Sequence, residues 1–269
     1  DKALTAQEIS DIYNKTEPLV LLKPLGINDM IGPYTITADS EEYQLYTFKY
    51  NSLKDNGEGQ TEYSLTFDQD TTADILIIGG GGGGGVDNGG GGGGGGVLYS
   101  SNITLNGDYI VKVGKGGVST TSVNNAYNPT YSENGFSSLF GKVSDMLEIF
   151  GGGAGGNADD PNDVDFPGKN GGSGGGGSYK TNTGGIKVDP IYNTFITATN
   201  STYYGGNGGT GDTGVSGSFM VSGGGGASGA EPTTANGADG IQINIDGNNY
   251  YWGGGGGGSS YDAISGNGG

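Results

Sequence analysis

Residues 74–99 read DILIIGGGGGGGVDNGGGGGGGGVLY, and no other part of the sequence says more about the architecture. It joins a strand-like apolar segment, residues 75–78, to two glycine runs, residues 79–85 and 89–96, which are separated by only three residues. A glycine run has no side chains, so it provides no apolar core, nucleophile, acid or metal ligand. It offers only backbone, with one hydrogen-bond donor and one acceptor per residue. The runs therefore direct the search for function towards architecture.

The composition alone is typical of a disordered chain. Of the 269 residues, 63 are Gly and 8 are Pro, hydrophobic residues make up 32%, and the net charge is −18. Shorter glycine runs recur at residues 151–153, 174–177, 223–226 and 253–258. Strand-like segments enter several of these runs, which a flexible linker does not explain. We therefore expect an ordered protein in which backbone hydrogen bonds between neighbouring runs offset the entropy cost of ordering glycine.

Several function classes are excluded by what the sequence lacks. It contains no Cys and no His, which removes disulfides, thiolate chemistry, Cys/His zinc sites and His-based catalysis. Asp and Glu number 29 against 11 Lys and Arg, so we expect no nucleic-acid partner. No apolar run reaches the roughly 18 residues of a membrane span, so we expect no membrane insertion. Spacing singles out no pair of carboxylates, and we expect no enzymatic activity and no cofactor.

A phosphate-binding loop is also disfavoured. Any match to GxGxxG is trivial in so glycine-rich a chain, and the pattern GxxxxGK[ST] is absent.

The chain divides into three predicted regions. Residues 1–33 hold a short helix over residues 1–14, with Thr5 and Glu8 as a capping box, and a linker. Residues 34–73 are predicted to be a β-strand region, because apolar and polar side chains alternate over residues 43–48 and 63–67, with a loop at residues 55–59 between them. Residues 74–269 form a glycine-rich region with β-hairpins, whose turns we expect at Asn106-Gly107 and Asp246-Gly247.

The fold class predicted from these patterns is mainly β, with a bundle of packed polyglycine-II helices and one short N-terminal helix. Glycine chains in this conformation pack side by side because no Cβ intervenes, and their backbone groups then bond to neighbouring chains. The runs at residues 79–85 and 89–96 are predicted to form an antiparallel pair. Further members of the bundle are expected at residues 151–156, 171–177, 205–209, 223–226 and 253–258.

Two parts of the sequence resemble known families. The strings DILIIGGGGGGG, VLYSSNITLNGDYIVKVGKGG, SSLFGKVSDMLEIFGGGAGG and YYWGGGGGGSS resemble the glycine-rich domain of proteins from large DNA viruses, phage tail fibres and marine microbes. That resemblance implies a β-framework on a polyglycine bundle at an extracellular or virion surface, and no catalytic residues. The string KALTAQEISDIYN is similar to the closing segment of laminin-G/concanavalin-like lectin domains, which implies a lectin-like module upstream. An ordinary capped helix is the alternative for this segment.

Two kinds of polar site are candidates. An acidic loop suits Ca²⁺, which takes six to eight oxygen ligands, although a solvated loop is the simpler interpretation; its members are Asp159, Asp160, Asp163 and Asp165. N-glycosylation sequons begin at Asn14, Asn102 and Asn200, and Asn200 is favoured because it lies in a polar loop.

Aromatic residues beside the glycine runs form a third candidate site. They either cover the ends of the bundle or present a surface for glycans or for other subunits. These residues are Tyr203, Tyr204, Tyr250, Tyr251, Trp252 and Tyr261.

The sequence therefore predicts a non-enzymatic structural subunit of an extracellular fibre, filament or virion appendage. Its expected partners are copies of itself, as a homo-oligomer or filament. The alternative is a glycan- or receptor-binding adhesin tip, with surface glycans as partners. In either case we expect the protein at a cell or virion surface.

Overall fold

The computed structural model describes residues 20–23, 30–38, 41–86, 88–119, 132–157, 166–179, 183–211, 221–259 and 265–269. Within these ranges the regular structure is β-strand, apart from one short 3₁₀ turn at Ser52–Lys54. The strands are β1 Val20–Lys23, β2 Met30–Ala38, β3 Glu41–Phe48, β4 Gln60–Ile78, β5 Val97–Gly114, β6 Ser138–Lys142, β7 Asp145–Ile149, β8 Ser201–Tyr204, β9 Ile241–Gln242 and β10 Tyr251–Trp252.

The main sheet is antiparallel and is organised around β5. Its strand order is β1-β4-β5-β6-β7, and β8 also pairs with β5. The long strand β4 follows one edge of β5, while the other edge is shared: residues 110–112 pair with β6 and residues 97–100 pair with β8. Two further antiparallel pairs, β2–β3 and β9–β10, lie outside this sheet.

The turn expected at Asn106-Gly107 is wrong. β5 runs through both residues without reversing, and Gly107 pairs with Phe67 of β4. The backbone of Gly107 adopts φ +85°, a value that glycine tolerates. This conformation lies next to a register shift in the pairing of β5 with β4, and not in a turn. The second turn is confirmed, because Gly247 has φ +85° and the chain returns there to pair β10 with β9.

The apolar core lies on one face of the main sheet. It contains Leu98, Leu147, Ile149 and Ile196, each of them fully shielded from solvent. Aromatic rings extend it, and the ring of Tyr109 stacks on that of Phe140 with centroids 5.4 Å apart. A second, smaller cluster is formed by Val97, Ala227 and Ile243, against which Trp252 packs.

The expected bundle of polyglycine-II helices is wrong. The glycine segments have no helical assignment anywhere in the described ranges, where regular structure is β-sheet apart from the 3₁₀ turn. The segments are irregular and extended, and Gly95 has φ +83°, opposite in sign to the φ of about −75° in that helix. The short helix expected over residues 1–14 lies outside the described residues, and the described ones include no α-helix.

The glycine segments instead continue from the ends of strands. β4 ends at Ile78, directly before residues 79–85, and β5 begins at Val97, directly after residues 89–96. β8 and β10 lead into glycine segments in the same way. We call these segments together the glycine layer: residues 79–85, 89–96, 151–156, 171–177, 205–209, 223–226 and 253–258.

The two longest runs form the antiparallel pair expected from the sequence. The amides of Gly79, Gly82 and Gly85 donate to the carbonyl oxygens of Gly96, Gly93 and Gly90, at 3.0, 2.8 and 2.8 Å. The pairing therefore extends the β4–β5 ladder into the layer with one such bond at every third residue.

Candidate functional site

The run at residues 89–96 lies in the middle of the glycine layer. All of its residues are buried except Gly94, which is intermediate. Its amides donate outward to two other segments. Gly93 and Gly96 donate to Gly153 and Phe150 of one segment at 2.9 and 3.0 Å, and Gly94 donates to Gly225 of the other at 3.0 Å. Its carbonyl oxygens accept in turn, for example from Gly256, whose amide lies 2.8 Å from the oxygen of Gly92. Backbone groups buried here thus find backbone partners.

Close backbone contact explains why glycine is required in this run. A Cβ added at Gly93 would overlap the carbonyl oxygen of Ser173, and one at Gly91 would overlap that of Gly256. Other glycines are not constrained in this way. A Cβ at Gly84 would meet only the Ser119 hydroxyl at 3.5 Å, an ordinary van der Waals contact. The requirement therefore belongs to inner positions of the layer and not to glycine runs in general.

Serine side chains complete the layer's hydrogen bonding, which the sequence analysis missed. Ser173 is fully buried, and its hydroxyl donates to the carbonyl oxygen of Gly95 at 2.9 Å. Ser222 is also buried and donates to the carbonyl oxygen of Gly209. Single serines that interrupt glycine runs, as in GGSGGGGS at residues 171–178, are the sequence pattern that points to such roles.

Tyr203 is partly buried and packs against the main core. Its hydroxyl group donates to the carbonyl oxygens of Val188, at 2.8 Å, and Gly172, at 3.0 Å. Burial raises the pKa of Tyr203 well above the ordinary tyrosine value, with smaller contributions from Asp189 and Tyr192. This tyrosine therefore ties β8 to the glycine segment at residues 171–177.

The other predicted aromatic residues divide into a partly buried set and an exposed set. Tyr204 and Trp252 pack against the smaller core cluster, and the Trp252 indole N–H donates to the carbonyl oxygen of Ile243 at 3.0 Å. Tyr250 and Tyr251 remain 52% and 67% exposed at the β9–β10 pair. Tyr261 lies outside the described residues. The structure thus leaves two of these aromatics available at the surface.

A polar groove of about 370 Å³ opens where β8 begins to pair with β5. It is lined by residues 99–101 of β5 and by residues 199–202, which include the first two residues of β8. The Tyr99 hydroxyl donates to Asp74 Oδ2 at 2.8 Å. Burial and this hydrogen bond raise the pKa of Tyr99 to about 12. Pairing between segments 100 residues apart in sequence creates the groove, so no local sequence pattern predicts it.

The two described sequons differ in geometry. Asn102 is exposed at φ +56° within β5, and its backbone amide donates to Asp74 Oδ1 at 2.9 Å. Asn200 is exposed too, but its side-chain amide donates to the carbonyl oxygen of Phe195 at 2.8 Å, and its side-chain oxygen accepts from the Thr197 amide at 2.7 Å. Asn14 lies outside the described residues.

The predicted calcium loop lies outside the described residues. Its four aspartates, Asp159, Asp160, Asp163 and Asp165, all lie between residues 158 and 165. Elsewhere in the described chain, no cluster of three or more acidic side chains is arranged to hold a metal ion. The described residues also contain no helix with the length and hydrophobicity to cross a membrane.

Comparison with known proteins identifies one family. The family model described as a glycine-rich domain matches residues 57–269, which include β4 to β10 and the whole glycine layer. No curated protein and no solved structure matches the chain. The matched region begins after residues 1–14, so it does not include the segment that resembles a lectin domain.

Proposed function

The chain belongs to the family of glycine-rich domains. From the backbone packing of its glycine layer, we propose that it is a non-enzymatic structural subunit of an extracellular fibre, filament or virion appendage. The observation that supports this proposal is the glycine layer, in which the run at residues 89–96 bonds through its backbone to several neighbouring segments. Such a layer offers stiffness without reactive side chains. The protein's task is then to hold a shape.

Stiffness follows from how the layer is built. A side chain in an ordinary core changes rotamer, whereas the inner glycines have only backbone torsions, which are fixed by hydrogen bonds on several sides. The strands β4 and β5 continue directly into the paired runs, so the sheet and the layer share the same hydrogen-bond ladder. A force applied to the sheet would therefore be transmitted to the glycine layer, because no flexible segment separates β4 from the run at residues 79–85.

Self-association is the second part of the proposal, and charge sets its conditions. The net charge of −18 makes copies of the chain repel each other at low ionic strength. Salt screens this repulsion, since the Debye length falls from about 30 Å at 0.01 M to about 8 Å at 0.15 M. Cations, Ca²⁺ among them, would act in the same direction.

Electron microscopy and sedimentation of the purified protein test this function. We expect filaments or ordered oligomers made only of this chain, and a larger assembled fraction as salt is raised from about 10 to about 150 mM. Gly84→Ala adds a methyl group at an uncrowded position of the glycine layer and should leave assembly unchanged. Monomers at every salt concentration would overturn the proposal.

A second candidate function is binding of surface glycans or a receptor, as in an adhesin tip. The exposure of Tyr250 and Tyr251 favours it, because surface aromatic rings provide large contact areas at low entropy cost. A glycan array probed with the wild type and with Tyr251→Ala tests it. Hits that Tyr251→Ala weakens would support this candidate, and an array without hits would count against its glycan-binding form.

A further inference from the structure

The polar groove between β5 and the start of β8 has the chemistry of a small-ligand site. Its volume of about 370 Å³ falls within the range of small-molecule pockets. The lining residues carry hydroxyl and amide groups, and none of them carries a carboxylate or an amine. This lining suits an uncharged ligand that is rich in groups that both donate and accept hydrogen bonds. The net charge of −18 also repels anions.

The groove is rigid before any ligand binds. The Ser100 hydroxyl donates to the carbonyl oxygen of Asn200 at 2.6 Å, which joins the two walls. The Ser201 hydroxyl donates to the carbonyl oxygen of Thr197 at 2.6 Å, and this bond holds the turn before β8. The Tyr99 ring is held by the bond from its hydroxyl to Asp74. Preorganised walls reduce the entropy cost of binding.

Two hydroxyl groups in the groove remain free to contact a ligand. Ser101 and Thr202 are both exposed, and within the described ranges their side chains make no hydrogen bond. Tyr99 adds an aromatic ring beside them, which suits the apolar face of a sugar ring. Two unpaired hydroxyls beside an aromatic ring match a ligand whose ring has one apolar face and a rim of hydroxyl groups.

We propose that this groove binds a neutral saccharide, with the Tyr99 ring against one face of the sugar and the hydroxyls of Ser101 and Thr202 bonded to its rim. The site is separate from the exposed Tyr250 and Tyr251, on which the second candidate function depends. The proposal does not depend on the fibre function. A structural subunit that lacks this site would still assemble.

Ligand-observed saturation-transfer NMR tests the proposal on the full chain, made in a bacterial host that adds no N-linked glycan. The probes are the methyl glycosides of mannose, galactose and glucose, each tested alone. We expect transfer from at least one of them, with a Kd on the order of 1 mM. The double variant Ser101→Ala/Thr202→Val removes both free hydroxyls and should weaken binding about tenfold.

One control variant distinguishes binding in this groove from binding elsewhere on the protein surface. Ser144→Ala removes an exposed hydroxyl in the turn between β6 and β7 and should leave binding unchanged. Tyr99→Ala should abolish transfer, but if that variant does not fold, the double variant carries the test. Absence of transfer from all three glycosides would overturn the proposal. So would transfer that Ser101→Ala/Thr202→Val leaves intact.

Discussion

The amide nitrogen of Gly93 lies 2.9 Å from the carbonyl oxygen of Gly153, and this bond joins two glycine segments that are distant in sequence. Both residues are buried, and neither has a side chain to fill the space between them. The contact is typical of the layer, where backbone meets backbone directly. A protein that packs in this way depends on the absence of side chains at particular positions.

The first prediction concerns one such position. Gly93→Ala places a Cβ against the carbonyl oxygen of Ser173, so the layer must shift or lose hydrogen bonds. We expect the free energy of unfolding to fall by about 1–3 kcal/mol, the usual cost of overpacking, measured by urea unfolding. The matched control is Gly84→Ala, which meets only a hydroxyl at 3.5 Å and should change stability by less than about 0.5 kcal/mol. Equal effects of the two substitutions would show that crowding does not explain the glycine requirement.

The second prediction concerns the hydroxyl of Tyr203. Tyr203→Phe leaves the carbonyl oxygens of Val188 and Gly172 without this donor, so the free energy of unfolding should fall by about 1–3 kcal/mol. Tyr204→Phe is the control. Tyr204 lies in the same strand and its ring packs against the smaller core cluster, but its hydroxyl makes no hydrogen bond within the described residues. A Tyr203→Phe variant as stable as Tyr204→Phe would contradict the assigned role.

Because the pKa of Tyr203 is raised, its contribution to the free energy of unfolding also depends on pH. The folded state holds the phenol proton more tightly than the unfolded state does. The stabilisation is therefore complete below the ordinary tyrosine pKa of about 10 and is lost as pH rises towards the higher folded value. The stability difference between the wild type and Tyr203→Phe should shrink in that alkaline range.

The third prediction concerns the loop that precedes β4. Asp55 Oδ2 accepts from the Tyr50 hydroxyl at 2.8 Å, and Oδ1 accepts from the amides of Gly57 and Gly59 at 2.7 and 3.0 Å. These bonds favour the carboxylate, and the hydrogen bond from Tyr50 is the main reason that the pKa of Asp55 is lowered. The loop's stability is therefore present above the ordinary aspartate pKa of about 4 and is lost as pH falls through the lower folded value.

Chemical shifts of the Gly57 and Gly59 amides measure this effect directly. In the wild type, both amides should keep their native shifts at pH 4 and lose them only in more acidic solution. Asp55→Asn should shift them already at neutral pH. Asp68→Asn alters an exposed aspartate of β4 and should leave them unchanged. If the Gly57 and Gly59 amides kept their native shifts in Asp55→Asn, the Asp55 carboxylate would not be what holds this loop.

Local sequence predicted those parts of the fold that depend on local preference. Residues 75–78 are apolar and β-prone, and they do form the end of β4. The same strand begins fifteen residues earlier and passes through the polar sequence DQDTTAD at residues 68–74, which has no strand pattern. Pairing with β5 holds this part of β4, and two irregularities in register accommodate it. Pairing across the sheet, and not propensity, sets the length of β4.

Long-range contacts also decide which of the candidate aromatic residues stay exposed. Tyr203 and Tyr251 both stand beside glycine runs, yet the carbonyl oxygens of a distant segment bind the hydroxyl of Tyr203, whereas Tyr251 is 67% exposed. The Asn106-Gly107 pair favours a turn locally, but β4 pairs on both sides of it and keeps β5 extended. The groove between β5 and β8 forms because Tyr99 pairs with Thr202, and a single sequence contains no pattern for that pairing.

Hydrogen exchange of the glycine amides measures whether the hydrogen bonds of the glycine layer persist in solution. The amides of residues 90, 91, 93, 94 and 96 all donate to backbone oxygens of other segments, so each should exchange at least about a thousandfold more slowly than in an unstructured chain. Gly93→Ala should reduce this protection in the neighbouring segments, and Gly84→Ala should preserve it. Exchange of residues 89–96 at the rate of a free polyglycine chain would contradict the account, because the layer would then have no persistent hydrogen bonds.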